Sequence, residues 1–370
     1  MKNKDLATGG SWDLEDLYHG DGDPHLWQDL VTARDKALGL VVSFKGKINN
    51  KNLDPKTVLS AIREYESIHE MGMRPCLFSY LYSSADTRDH KRNRLLQKVK
   101  EKWNEISQIL AFFELEIKAL PEDSLKKLAA HNDLSNYRHF LLNQIQWKPY
   151  ALSEAEEKII KQGHLSGRDA FISLYDQFTG ALSFSVKIEG ESVELNIHQA
   201  LSLLRSPDRL LREKVFDTFL KELEKHGLVF KNILNALLLA HQQEDVGRGH
   251  PFPMHRIHLN NEMNESIIEN MMGAVEDHYP LARRYLRKKA RCLGLGKLKN
   301  TDIFAPLKEE NHLISFSDAR KFILEAAEDL HPVFHSLVRE ICASNRIDAE
   351  VRGGKQNGAF CKSMAPSLHP

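Results

Sequence analysis

The residues best suited to chemistry in this 370-residue chain are its 18 histidines. A hydrolytic zinc site needs three protein ligands and an open position for water. H-E-x-x-H on a helix supplies two of them compactly: the i, i+4 spacing sets both imidazoles on one face, and the Glu can act as base toward the metal-bound water. The only His-Glu dipeptide is His69-Glu70, and Met73 stands where the second His must fall. No Glu-His dipeptide occurs, so the inverted H-x-x-E-H is absent too. His241, His250, His255 and His258 crowd into one short stretch. Read as a metal cluster, His255 and His258 would share a helical face. Read plainly, they are hydrogen-bonding imidazoles at a loop and a helix start, because Pro251 and Pro253 interrupt any single helix that would present all four. His331 and His335 are four apart, with Pro332 between them.

Other catalytic patterns fail on spacing. Gly294-Leu295-Gly296-Lys297 fits neither G-x-G-x-x-G nor a Walker loop and reads as a helix end. Gly163-His164-Leu165-Ser166-Gly167 lacks the G-x-S-x-G order and a preceding strand, so it reads as a helix C-cap. The pair Glu309-Glu310 reads as solvated loop.

The elements that must position any site are mostly helical. Pro121–Ala130 opens on Pro and acids and carries Leu125 and Leu128 on one face. Ser153-Glu154-Ala155-Glu156 is a capping box, with Gly163 as the expected stop. Ser206-Pro207-Asp208 predicts a start with Ser206 as N-cap. That helix should reach about Gly227 on an apolar stripe of Leu210, Leu211, Val215, Phe216, Phe219, Leu220 and Leu223. Ser315–Asp318 opens another, with Phe322, Ile323 and Ala326 at helical spacing. Arg283–Arg291 reads as the solvated face of a helix. Phe184, Val186 and Ile188, a Glu189-Gly190-Glu191 turn, then Val193 and Leu195 predict a β-hairpin. Gln356-Asn357-Gly358 predicts a turn, followed by a short extended element at Ala359-Phe360-Cys361. Arg248–Pro253 reads as an irregular loop.

Lys plus Arg and Asp plus Glu both number 51, so there is no net basic field to draw nucleic acid or anionic lipid. The longest apolar stretch, around Ile233–Ala240, is far short of a membrane span. The opening residues lack the apolar core of a secretory leader, and four scattered cysteines without a C-x-x-C pair suit a reducing compartment. A cytoplasmic protein with neither nucleic-acid nor membrane partners is expected.

The order of several short landmarks adds to this. Trp12-Asp13-Leu14-Glu15-Asp16-Leu17-Tyr18, then Leu152–Ile160, the hairpin, Ser206–Phe216, Arg248-Gly249-His250, Thr301–Leu307 and Gly354–Cys361 with Ser367–Pro370 follow one another along the whole chain. In that order they resemble oligoendopeptidase F, of the M3 family of zinc metallopeptidases. The resemblance implies a mainly α fold: helical lobes around a deep cleft, with a small antiparallel sheet. It divides the chain into an N-terminal helical domain (1–115), a helical segment ending in the hairpin (116–197) and part of a catalytic domain (198–370). It implies one zinc in the intact enzyme, hydrolysis of short peptides, and an H-E-x-x-H helix beyond Pro370. No catalytic or metal residue carries over to this chain, and a separate C-terminal fragment would be a partner. Gly358, Ala359 and Phe360 carry over as a strand that either lines the substrate cleft, by β-augmentation, or only completes a small sheet. The family has an aromatic where His250 stands. The chain would then be an N-terminal part of a peptidase, inactive alone, or a non-catalytic helical scaffold that binds peptides or partners.

Overall fold

The computed structural model describes residue 7 and residues 9–49, 53–308, 314–356 and 358–362. Its helices are α1 (Pro24–Phe44), α2 (Pro55–Ser84), α3 (His90–Ala119), α4 (Glu122–Ala130), α5 (Arg138–Trp147), α6 (Glu154–Ser166) and α7 (Arg168–Ala181). The strands β1 (Phe184–Ile188) and β2 (Glu191–Leu195) come next. Then follow α8 (Ile197–Leu203), α9 (Arg209–Lys225), α10 (Gly227–Arg248), α11 (His255–Asn260), α12 (Glu265–Asp277), α13 (Tyr279–Cys292), α14 (Phe316–Leu330) and α15 (Pro332–Ala343). The fold is mainly α with one small antiparallel sheet, as the sequence leads one to expect.

The main core lies among α1–α5. Asp23, Asp54 and Asp89 cap α1, α2 and α3 through their carboxylates, and Pro at the first helical position opens α1 and α2. Their inner faces bury Leu26, Leu40, Ile68, Phe78, Phe112 and Phe113. Gly72 is a point of forced close approach, since a Cβ there would run into the Trp103 ring. A second, smaller core joins Phe184, Val186 and Leu195 of the hairpin to Ala200 and Val215, with Phe219 stacked on Phe184 at 4.9 Å. The hairpin pairs Phe184 with Leu195 and Val186 with Val193.

Several expectations need correction. Gly163 does not stop α6, which runs to Ser166 and is capped at Gly167. Gly163 stays inside the last turn, where its carbonyl accepts the Gly167 amide at 2.9 Å. Asp208, not Ser206, caps α9: its carboxylate accepts from the Leu210 and Leu211 amides. The Ser206 and Pro207 carbonyls instead accept from the Arg212 guanidinium, at 2.7 and 2.9 Å. Leu210 and Leu220 of the expected stripe are exposed, since among the described residues α9 packs mainly against β1, α8, the 300–302 turn and α10. Phe322 and Ile323 of α14 also face outward.

The expected strand at Ala359–Cys361 is absent: residues 358–362 are irregular and exposed. The residues leading into them are held by the end of α2, the loop after it and α7, and no other described strand lies beside them to form a ladder. The turn residue Asn357, the pair Glu309-Glu310 and the Ser367–Pro370 landmark lie outside the described residues.

Candidate functional site

The last described segment, residues 345–362, is a strap held at both sides. Asp13 donates its amide to the Asn345 carbonyl, and Glu350 donates its own to the Gly10 carbonyl at 3.1 Å. Further on, the Gln356 amide donates to the Ser84 carbonyl at 2.9 Å and Ser84 Oγ donates to Gln356 Oε1 at 2.7 Å. Thr87 donates both amide and hydroxyl to the Gly354 carbonyl. Asp348, almost wholly buried, anchors the strap from inside through Arg352 and Lys355. Burial pushes the Lys355 ammonium pKa down, against the pull of Asp348.

Beneath the strap lies an apolar cavity of about 410 Å³. Trp12, Leu14 and Leu17 form one wall, Leu77 and Leu81 of α2 the floor, and Gly358, Ala359 and Phe360 the facing rim. Phe360 is 42% exposed and meets Tyr80 edge-on at 5.5 Å and Trp12 at 6.3 Å. All three carried-over residues therefore sit together on a cavity wall, as an irregular segment rather than a strand.

A second cavity, of about 330 Å³, adjoins the first, with Leu77 and Lys362 lining both. Its floor is Met73, Cys76, Leu96 and Trp103, and its rim carries Lys100, Lys161, Arg168 and Lys362. Burial pushes the Cys76 thiol up to about 12. At neutral pH it is a protonated, apolar part of the lining and not a nucleophile. Sequence reasoning gave these residues no role, because they come from four separate helices and the strap. Their positive charge shows only as a cluster in space.

The histidine-rich stretch forms a third cluster, between α6, α10 and α11. Arg248 reaches Glu157 at 2.6 and 2.9 Å and Glu244 at 3.1 Å. Arg256 pairs with Glu244 at 3.0 Å and Asp245 at 2.8 Å, and His241 meets Asp245 at 2.9 Å. Burial raises the Glu244 pKa, but the His164 hydrogen bond and the Arg256 and Arg248 charges outweigh it and bring it down to about 2. His250 and His255 face each other, Nδ1 to Nδ1 at 3.0 Å, with Tyr150 stacked on His250.

These donors do not fit zinc. The carboxylates are already neutralised by guanidiniums, and the four histidines split between a carboxylate, each other and a buried contact with Phe252. Among the described residues, no group of three or more His, Cys, Asp or Glu is placed to hold a metal. His69 packs against Trp103 and Tyr65 as a core ring. His331 caps α15, so Pro332 separates it from His335 as expected.

Comparison with known proteins places this architecture. The family model described as Oligopeptidase F matches residues 116–184. The group B oligopeptidase PepB of Streptococcus agalactiae is 24% identical over 355 residues, which is 94% of this chain. The oligopeptidase PepF of Bacillus subtilis is 22% identical over 369 residues, 96% of this chain. Oligoendopeptidase-F of Enterococcus faecium superposes with a TM-score of 0.68 at 18% identity, covering 88% of this chain and 68% of that one, a likeness of fold.

The chain is oligoendopeptidase F-like. It spans 58% of the length of the streptococcal relative and 53% of the Bacillus one. In this oligoendopeptidase F-like chain the first landmark, Trp12–Tyr18, and the Gly354–Cys361 landmark form the two sides of one cavity. The Thr301–Leu307 landmark works as a clamp. Asp302, fully buried, accepts from Arg209 at 3.1 and 2.9 Å and from Arg212 at 2.9 Å, tying the start of α9 to that turn.

Proposed function

We propose that this chain supplies the substrate-cradling front part of a zinc oligopeptidase that hydrolyses short peptides. The observation that carries the reading is the meeting of the Trp12–Tyr18 and Gly354–Cys361 segments around one apolar cavity, with Gly358–Phe360 exposed on its rim. An exposed backbone edge beside an apolar groove suits an extended peptide. The relatives, the streptococcal and Bacillus oligopeptidases and the Enterococcus oligoendopeptidase-F, support the same substrate class. In this reading the chain divides at 115 and 197, and the zinc belongs to the intact enzyme. Its ligands lie outside these 370 residues, whose sequence holds no H-E-x-x-H. The protein works in the cytoplasm, which suits its four unpaired cysteines. No helix among the described residues is long and apolar enough to cross a membrane.

The chain alone is then inactive. A quenched fluorescent nonapeptide incubated with purified 42.4 kDa material should stay uncut. Cleavage that a chelator abolishes, in material of that mass, would overturn the reading.

A second reading, a non-catalytic scaffold that binds peptides or partners, requires the chain to stay folded with apolar side chains left in solvent along α10 and α12–α15. Such faces favour association. Co-purification of a separate polypeptide containing H-E-x-x-H would favour the peptidase, and a stable, well-folded monomer the scaffold.

A further inference from the structure

The second cavity concentrates positive charge in a chain that has none overall. Lys100, Lys161, Arg168 and Lys362 line it, with His164, against a single carboxylate, Asp169. That carboxylate is taken by its neighbour Arg168, at 3.1 Å. Lys100 and Lys362 have no ion-pair partner among the described residues, and Lys362 instead lies over the Tyr80 ring at 5.5 Å. Lys161 Nζ donates to the Ser107 carbonyl, and its burial holds the ammonium pKa below its ordinary value against the pull of Glu114 and Glu157. Arg168 and His164 are thus paired, with Asp169 and Glu244, and the two ammonium groups beside the apolar floor that make no ion pair among the described residues are those of Lys100 and Lys362, open to an added anion. The floor of Met73, Leu96 and Trp103 asks that the anion carry an apolar group beside it. At about 330 Å³ the space is at the small end of ligand sites, roughly 300–1,000 Å³. It adjoins the apolar cavity, with which it shares Leu77 and Lys362.

We propose that this cationic cavity captures the free C-terminal carboxylate of a short peptide, with the last side chain on Trp103 and the preceding residues running into the apolar cavity under the strap. This rests on reading the apolar cavity as the peptide groove. It fixes the direction in which the peptide lies and makes one end of the substrate, rather than its interior sequence, the feature recognised. Folded proteins and C-terminally blocked peptides are then poor ligands.

The test is calorimetric titration of the full chain, at low salt, with the tetrapeptide Ala-Ala-Leu-Phe as free acid and as C-terminal amide. The acid should bind about tenfold or more tightly than the amide, the scale of one lost charged hydrogen bond. Lys100→Gln and Lys362→Gln should each shrink that gap, and Lys100→Arg should preserve it. Both lysines are at least partly exposed, so folding should survive, and far-UV circular dichroism checks that it does. Equal binding of acid and amide would remove the carboxylate site but keep the groove. No binding of either would remove both. Displacement of the acid by an equal concentration of inorganic phosphate would show a simple anion site and also overturn the proposal.

Discussion

Glu244 shows how a single side chain binds three helices together. It takes charge from Arg248 on its own helix and Arg256 on α11, and meets His164 of α6 at 3.3 Å. Its pKa is about 2 in the fold and ordinarily 4.5. A carboxylate depressed on folding contributes stability that is present above the ordinary value and lost as pH falls toward the folded one. The thermal midpoint of the native chain should therefore fall more steeply between pH 5 and pH 3 than that of Glu244→Gln. Identical slopes in the two proteins would remove Glu244 as the cause. The sequence shows the Glu244-Asp245 pair and the nearby Arg248 and Arg256 but not their pairing, because Glu157 and His164 come from a helix some eighty residues earlier. The histidines of this stretch are legible as a cluster. What they do is decided by the arginines that reach the carboxylates first.

At the scale of elements, local chemistry sets most helix starts. The Ser153 capping box forms as its spacing requires: Ser153 Oγ accepts from the Glu156 amide and Glu156 accepts from the Ser153 amide. Contact between helices is set by features with weaker sequence signals, and Gly72 is one. It lets Trp103 of α3 lie flat on α2, and Trp103 in turn floors the cationic cavity. Gly72→Ala would bring helix propensity but push the indole away. Overpacking of this kind costs about 1–3 kcal/mol, so the variant should unfold at lower denaturant and lose near-ultraviolet dichroism from the displaced ring. An unchanged midpoint and spectrum would mean that the indole has room to shift. The extended element expected at Ala359–Cys361 shows the converse. Its residues are compatible with a strand, but among the described residues no other strand lies beside it to complete a ladder.

The whole molecule is unevenly packed. Large apolar residues are buried densely up to α5 and sparsely afterwards, where Leu228 is 75% exposed, Val246 72% and Phe322 71%. Arg283–Arg291 is a largely solvated face as expected, apart from Lys289 and Ala290, which turn inward. Apolar surface left this open on α10, α12, α14 and α15 binds other apolar surface. The purified chain should enhance the fluorescence of a hydrophobic dye in native buffer and show concentration-dependent light scattering. Dye binding no greater than that of a compact globular standard would mean these faces close against one another in solution.

The sequence by itself determined the helical class, the hairpin with its inward Phe184 and Val186, several caps, and the ordered landmarks that mark the chain as oligoendopeptidase F-like. These are local properties: period, capping chemistry and short motifs are written in neighbouring residues. Tertiary structure alone decided that Trp12 and Phe360 share a cavity, that Asp302 serves Arg209 and Arg212, and that four lysines and arginines from different elements face one space. Those arrangements depend on contacts between residues far apart in the chain. Their strength comes from burial and from the loss of competing water, which no short stretch of sequence records.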